Sequence, residues 1–260
     1  DIFTANCTFQ TEIFSLLNKN YGGKNLIISP FSIFQILSLT SNGANEKTLE
    51  AMLAALKIED LDTLNKINYE LLKIFNKFET VAVANAVMPI FTPASNFLEI
   101  ANNYNSTVET LKSAEQVNNW CNIKTHGKIP KIIDNLDNDI FMILLNAIYF
   151  KGEWLYPFEK ELTKKKSFYN FNKEEEKINM MTQTEHFGYY EDNQIQMIEL
   201  PFIKDRVSAI VILPNKNLDI NEFINSFNEN DDFENELNEI INNKLESCKV
   251  KLELPKFEVN

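Results

Sequence analysis

The stretch Asn146-Ala-Ile-Tyr-Phe-Lys-Gly-Glu-Trp154, preceded by the apolar residues 140–145, decides the fold of this chain. The apolar run is too short to span a membrane and too continuous for an amphipathic helix, so it predicts a strand that is buried on both faces. A buried Asn146 needs hydrogen-bond partners, because an unpaired buried amide costs about 1–3 kcal/mol. We therefore expect Asn146 to belong to a polar network that specifies one arrangement of the core.

The composition is that of a globular protein with an acidic surface. The 260 residues are 44% hydrophobic and carry a formal net charge of −12. No apolar run approaches the roughly 18–20 residues that span a bilayer, so we expect no membrane span. Arg206 is the only arginine, and bidentate phosphate contacts favour arginine, so we expect no nucleic-acid partner. The charge would suit a basic partner, but a solvated surface is the favoured interpretation.

Cysteines and glycosylation sequons bear on the compartment. Cys7, Cys121 and Cys248 are widely spaced and form no C-x-x-C pair, so we interpret them as free thiols. Free thiols weakly favour a reducing compartment, although many secreted proteins also lack disulfides. Asn6 and Asn105 each begin a formal sequon, but a chain so rich in asparagine contains sequons by chance.

Local patterns predict helices first and strands later, which points to a single α+β domain. Ser29-Pro30 is typical of a helix N-cap followed by proline at the first helical position. The predicted helices cover residues 2–17, 30–41, 46–56 (capped by Asn45), 60–78, 97–104, 114–124 and parts of 215–243. The predicted strands cover residues 25–29, 81–89, 140–150, 178–190, 196–202, 207–213 and 249–253.

The chain has no constellation that is typical of an enzyme or a metal site. His126 and His186 form no metal-ligand pair, and there is no nucleophile elbow, Walker loop or dinucleotide fingerprint. We therefore expect neither enzymatic activity nor a cofactor or metal. A Cys/His nucleophile pair stays open, because Cys121 lies close to His126 in the sequence.

Three lysines of the helix predicted over residues 60–78 fall near one face, which leaves a polyanion site open as an alternative. They are Lys66, Lys73 and Lys77, and Glu70 lies among them. Because the acidic residue interrupts the basic face, a solvated helix surface is the favoured interpretation.

Several motifs, in register along the chain, resemble the serpins, the family best known for trapping serine proteases. The strongest match is the stretch 146–154, which is followed by Pro157-Phe158, Thr163 and Phe168. The other matching motifs are Asn25-Leu-Ile-Ile-Ser-Pro-Phe-Ser-Ile33, Asn42-Gly-Ala44 with Thr48, Ala84-Asn-Ala86, Asn119-Trp120, Thr125-His-Gly-Lys-Ile129, Met180-Met181, Tyr189-Tyr190, Glu199-Leu-Pro-Phe202, Ile212-Leu-Pro214 and Leu254-Pro-Lys-Phe257. Any one motif is weak, but so many in order are specific.

The resemblance implies the fold and a mechanism. It implies a serpin-like single α+β domain over residues 1–260, with a large mixed β-sheet, further sheets and about nine helices. In serpins a protease cleaves an exposed reactive loop, which then inserts as a new strand into the main sheet and carries the acylated protease along; this insertion is itself a known example of a switching transition. The resemblance thus implies a suicide-substrate inhibitor of a serine protease, whose function lies in a conformational change.

The resemblance also implies roles for five residues. Ser29, Ser32 and Asn146 match the shutter, the region that opens for the inserted strand, and Trp154 and Thr163 match the breach, where the loop first enters. Without the resemblance, the serines would be a helix cap, Asn146 a structural amide and Trp154 an ordinary core residue.

The family pattern continues beyond residue 259, and the missing part should hold the next strand of the main sheet, the hinge, the reactive loop and the last core strands. We therefore expect a portion of a longer protein, or the larger piece of a cleaved one with a separate C-terminal fragment as partner, acting as a monomer. The alternative is a non-inhibitory serpin with a carrier, storage or chaperone role. On family grounds secretion is slightly favoured over the cytoplasm.

Overall fold

A computed structural model of the chain describes residues 2–137, 139–204, 207–229 and 233–258. The chain divides into two compact units. Unit 1 consists of Asp1–Gln10 and Ser29–Lys151, and unit 2 of Thr11–Ile28 and Gly152–Asn260. Helices dominate the first half of the described residues and strands the second, as the sequence predicts for an α+β protein.

The described residues form eight α-helices and eight β-strands. The helices are α1 (Ile2–Tyr21), α2 (Pro30–Ser41), α3 (Glu46–Ala55), α4 (Leu61–Phe75), α5 (Ser95–Asn103), α6 (Ala114–Lys124), α7 (Ile220–Glu229) and α8 (Phe233–Glu239). The strands are β1 (Val81–Pro89), β2 (Ser106–Val108), β3 (Met142–Phe150), β4 (Lys164–Tyr169), β5 (Glu175–Glu191), β6 (Ile195–Pro201), β7 (Ser208–Pro214) and β8 (Glu246–Pro255). A 3-10 turn, Lys160–Leu162, precedes β4, and a π-helix, Ile240–Lys244, follows α8.

The start of α2 confirms the capping signal. The Ser29 side chain accepts a hydrogen bond from the Ser32 backbone N–H at 3.3 Å, and Pro30 occupies the first helical position. Asp60 caps α4 in the same way, since its carboxylate accepts the Thr63 N–H at 2.8 Å. These bonds satisfy backbone donors that have no partner within the helix.

Two local predictions are wrong. The strand predicted over residues 25–29 is absent, because an apolar run forms a strand only beside a neighbouring ladder, and Ile27 is instead 73% exposed. Asn45 precedes α3 but makes no side-chain capping bond. The sequence also failed to predict β2, which has three residues, and β4, where consecutive lysines obscure the alternation.

The sheet of unit 1 has the order β2-β1-β3 and is mixed. Strand β1 pairs parallel with β2 and antiparallel with β3, from Val81 opposite Phe150 to Pro89 opposite Met142. Directly opposed residues share a face of the sheet. On one face Ala86, Met88, Leu145 and Ala147 pack with Val117, Trp120 and Cys121 of α6.

The opposite face of this sheet packs against α2, α4 and α5. Its core consists of Leu39, Leu72, Val87, Ala101 and Tyr104. The expectation that β3 is buried on both faces is too strong, because only Leu145 and Ala147 are buried and the residues between and beside them are half-buried. The physical reason is that β3 is an edge strand among the described residues.

The sheet of unit 2 is antiparallel and is centred on β5. Strands β4, β6 and β8 each pair with β5, and β7 pairs with β6. Its buried side chains form two clusters, one of Ile195, Met197, Phe223 and Ile240 and one of Phe187, Ile198 and Leu200.

The core of unit 1 gives a stability prediction. Leu72→Ala, in the full-length protein, should lower the free energy of unfolding by about 2–5 kcal/mol, because the side chain is 3% exposed and its removal leaves a cavity. Ile74→Ala on the same helix is the control, since Ile74 is 48% exposed and should cost less than about 1 kcal/mol. Urea denaturation measures both. Equal losses for the two variants would show that Leu72 is not a core residue.

Candidate functional site

Two asparagines face each other across the ladder between β1 and β3. Asn146 lies directly opposite Asn85, and its Nδ2 donates a hydrogen bond to Asn85 Oδ1 at 2.6 Å. The Asn85 side chain is 1% exposed, and its own Nδ2 donates to the Tyr104 backbone carbonyl at 3.2 Å. The strand pairing thus brings two amides to the distance at which they bond, and joins them to the chain that follows α5.

The Tyr104 side chain extends this connection to two helices. Its hydroxyl donates to Asn65 Oδ1 of α4 at 2.7 Å, and burial raises its pKa above the ordinary value. The Asn65 amide in turn exchanges two hydrogen bonds, at 2.8 and 2.9 Å, with Asn42 at the end of α2. We call Asn42, Asn65, Asn85, Tyr104 and Asn146 the Asn–Tyr network.

One acceptor of this network has no donor. Asn146 Oδ1 is buried and receives no hydrogen bond from the described residues. The other polar atom of the same amide, Nδ2, is bonded, so the side chain is held in place while its acceptor is unused. An unpaired buried acceptor is unfavourable by about 1–3 kcal/mol, so a further donor placed here would stabilise the protein.

The other two predicted shutter residues form a separate pair. Ser32 Oγ donates to Ser29 Oγ at 2.9 Å, and both side chains are half-buried. Helix α2 packs against β3, so the serines and Asn146 lie on contacting elements. No hydrogen bond among the described residues joins the serine pair to Asn146 or to Asn85. The structure therefore brings the elements together, but not the three side chains into one network.

The predicted breach residues both lie in unit 2. Trp154 forms an isolated β-bridge with Phe202, and their rings stack with centroids 4.4 Å apart at 16°. Trp154 also packs against the cluster of Phe187, Ile198 and Leu200. Thr163 ends the 3-10 turn, where its N–H donates to the Lys160 carbonyl at 3.1 Å, and β4 follows directly. Among the described contacts none joins Trp154 to Thr163.

Sequence reasoning missed most of the Asn–Tyr network. The sequence motifs include Asn42 and Asn85 but give no reason to join them, and they do not include Asn65 or Tyr104. A polar residue inside the apolar strand 81–89 was the available signal for Asn85. Asn65 had no such signal, because it lies in an amphipathic helix of an asparagine-rich chain.

The alternative Cys/His pair finds no support. Cys121 is buried on α6, and burial raises the pKa of its thiol, which disfavours the reactive thiolate. The His126 ring instead contacts Tyr149 edge-on, with centroids 4.6 Å apart. No contact among the described residues joins Cys121 to His126.

The two sequon asparagines differ in how far the structure describes them. Asn105 is exposed and has a φ of 50°, whereas Asn6 lies outside the residues whose side chains are described. Among the described helices none is long and apolar enough to cross a membrane. The part of the chain that the structure describes contains no group of three or more His, Cys, Asp and Glu side chains arranged to hold a metal.

Comparison with known proteins identifies the family. The family model for the serpins (serine protease inhibitors) matches residues 4–260. The chain belongs to the serpin family. Among solved structures, a serine protease inhibitor (serpin-12) from Manduca sexta superimposes with a TM-score of 0.86 at 27% identity, over 97% of this chain and 73% of that one. The α+β serpin fold is thereby established.

Curated relatives of this serpin differ in what is known of them. An uncharacterized serpin-like protein of Methanosarcina mazei is 29% identical over 99% of this chain and 63% of its own length. A leukocyte elastase inhibitor of Xenopus laevis is 30% identical over 81% of this chain and 61% of its own length. The chain thus spans less than two thirds of the length of these relatives.

The side chain of Asn146 gives the first testable prediction about the candidate site. In the full-length protein, Asn146→Asp should lower the free energy of unfolding by about 2–4 kcal/mol or promote polymers, because it removes the donor to Asn85 and places a charge in a buried network. Urea denaturation and size-exclusion chromatography measure these effects. The exposed Asn102→Asp on α5 is the control. An unchanged free energy of unfolding together with monomeric elution would contradict the shutter assignment.

Tyr104 gives a prediction about pH. Tyr104→Phe should cost about 1 kcal/mol at pH 7, because the bond to Asn65 is lost. The folded-state pKa of Tyr104 is raised, so its stabilising contribution is present below the unfolded pKa, about 10, and is lost as pH rises above it. The difference between the native protein and Tyr104→Phe should therefore shrink above pH ~10. A constant difference would contradict the burial argument; the exposed Tyr69→Phe is the control.

Proposed function

We propose that this serpin chain is the larger part of a serine protease inhibitor that acts as a suicide substrate. A protease would cleave an exposed reactive loop, and the cleaved loop would insert as a strand beside β3 and trap the acylated enzyme. The observation that carries this proposal is the buried Asn146 acceptor, which has no donor among the described residues and lies on the strand beside which the loop would insert.

The edge of β3 supports the proposal through its backbone. Strand β3 bonds to β1 along its whole length, from Met142 to Phe150, and no strand among the described residues pairs with its other edge. Such an edge presents a row of backbone N–H and C=O groups that an extended segment can bond. In the full-length protein the inserted strand would lie between β3 and the next strand of the main sheet, and it would bond these groups in place of that strand.

The Asn–Tyr network supports the proposal through its side chains. Asn146 Oδ1 is buried at the middle of β3, and no donor from the described residues reaches it. A donor from an arriving strand would complete the hydrogen bonds of the amide. The network can therefore hold one set of bonds before insertion and another afterwards, as a two-state element requires.

The relatives support the inhibitory alternative over the non-inhibitory one. The Xenopus laevis relative is named for inhibition of leukocyte elastase, and the Manduca sexta structure for inhibition of serine proteases. On the strength of these names we propose a serine protease as the partner of this serpin. We propose no catalytic role for the chain itself. The relatives are longer than the stretch that this chain matches. We place the hinge, the reactive loop and the last strands in a further portion of the same domain.

The proposal predicts a covalent complex. The full-length protein, mixed with trypsin-like, chymotrypsin-like and elastase-like proteases, should give with one of them a band at the summed mass that survives SDS. The acyl bond to the protease is the reason, since it is not broken by denaturation. A denaturing gel measures this outcome.

The control is the same protease with its nucleophilic serine replaced by alanine, which should bind without forming the band. Clean cleavage without any SDS-stable band, for all three protease classes, would contradict inhibition and favour the non-inhibitory alternative.

A further inference from the structure

Two buried amides outside the Asn–Tyr network join the same two helices, α2 and α4. Gln35 of α2 and Asn68 of α4 are both 0% exposed, and Gln35 Nε2 donates a hydrogen bond to Asn68 Oδ1. Asn68 Nδ2 in turn donates to the Leu64 carbonyl of its own helix at 2.9 Å. We call Gln35 and Asn68 the buried bridge. It lies about two turns along α2 from Asn42 and about one turn along α4 from Asn65.

The buried bridge reaches the Asn–Tyr network at Tyr104. Asn65 and Asn68 are three residues apart, so they are neighbours on one face of α4. Asn65 accepts a hydrogen bond from the Tyr104 hydroxyl at 2.7 Å, and the Asn68 side chain lies within hydrogen-bonding reach of the same hydroxyl. Burial raises the pKa of Tyr104, and hydrogen bonding to Asn68 lowers it by less. The position of Asn68 therefore affects where the Tyr104 side chain lies.

Packing alone does not account for a polar pair at this place. Gln35 Oε1 is buried and receives no hydrogen bond from the described residues, so one acceptor of the bridge is unsatisfied. Replacing both partners of such a pair by apolar side chains of similar shape is nearly neutral or stabilising. Leu39 of α2 and Leu72 of α4 already pack in one apolar cluster. A buried amide pair adds something different, because it restricts two helices to the one arrangement in which its hydrogen bond forms.

The buried bridge and the Asn–Tyr network together form one connected path through unit 1. The path starts at Gln35 and Asn68, passes Tyr104, and ends at Asn85 and Asn146. Tyr104 is the link, because its hydroxyl lies beside Asn68 and its backbone carbonyl accepts from Asn85. A shift of α4 against α2 would therefore be passed on to the amide of Asn146.

We propose that Gln35 and Asn68 are positioning residues of the conformational change, because they fix α4 against α2 and thereby fix where Tyr104 holds Asn85 and Asn146. The proposal rests on the function proposed above. An amide that is already held in place offers its acceptor to an arriving strand without first losing side-chain freedom. Without the bridge, insertion should be slower, and water should more often hydrolyse the acyl ester to the protease before the strand has inserted.

The first test needs no protease. In the full-length protein, Gln35→Met with Asn68→Leu replaces the bridge by an apolar pair; we call this the bridge variant. A double-mutant cycle with Asn146→Ala, measured by urea denaturation, shows whether the two sites are coupled. We expect the unfolding equilibrium constant of the combined variant to differ at least about threefold from the additive value. A smaller difference would overturn the proposal.

Ser41→Ala is the matched control on α2. Ser41 is equally buried, but its hydroxyl donates to the Leu37 carbonyl of its own helix, at 2.9 Å. Its cycle with Asn146→Ala should be additive within about twofold. A coupling as large as that of the bridge variant would show a general loosening of α2 and would overturn the proposal. If the bridge variant does not fold, Gln35→Met alone replaces it in the cycle, with the same expected and overturning results.

The second test measures the conformational change itself. With a protease that gives the SDS-stable band, the share of cleaved serpin that ends in the band should fall at least about threefold in the bridge variant. The share should not change in Ser41→Ala. An unchanged share in the bridge variant would overturn the proposal. If the native protein gives no band with any protease, the proposed function fails, and the double-mutant cycle still decides whether the bridge positions Asn146.

Discussion

The hydrogen bond between Asn146 and Asn85 is the constraint on which the arrangement of unit 1 depends. It joins two strands at the one pair of opposed positions where both side chains are amides. Through Tyr104, Asn65 and Asn42 the same network reaches α4 and the end of α2. In a sheet held only by apolar packing, neighbouring strands could shift with little loss of free energy. Displaced amides of a buried network would instead leave their hydrogen-bond partners unsatisfied.

The same network is incomplete among the described residues, and the proposed function depends on this incompleteness. The bonded Asn146 Nδ2 fixes the side chain, and the unpaired Oδ1 lies on the strand whose outer edge is unpaired among the described residues. In the proposed function, the amide oxygen of Asn146 would gain a donor from the inserted strand, which would also bond the outer edge of β3.

Much of this could be predicted from the sequence, and the exceptions have physical causes. The bounds of α2 and α6 followed from a serine cap with proline and from periodicity, and β1 and β3 from continuous apolar runs. The prediction of a strand over residues 25–29 was wrong because a strand forms only beside a second strand, and the local sequence pattern does not reveal that neighbour. The residues of the Asn–Tyr network are far apart in the sequence, so only the fold shows that Tyr104 connects Asn85 with Asn65. The pairing of Ser29 with Ser32, and not with Asn146, is likewise set by the fold.

The most direct test of strand insertion beside β3 is amide hydrogen exchange across residues 142–150. It is measured in the full-length protein before and after a protease cleaves the reactive loop. Insertion places a new strand against β3 and completes the hydrogen bonds of Asn146, so β3 should open less often and its amide exchange should slow at least about tenfold after cleavage. Unchanged exchange in β3, in a protein that has been cleaved completely, would contradict the account.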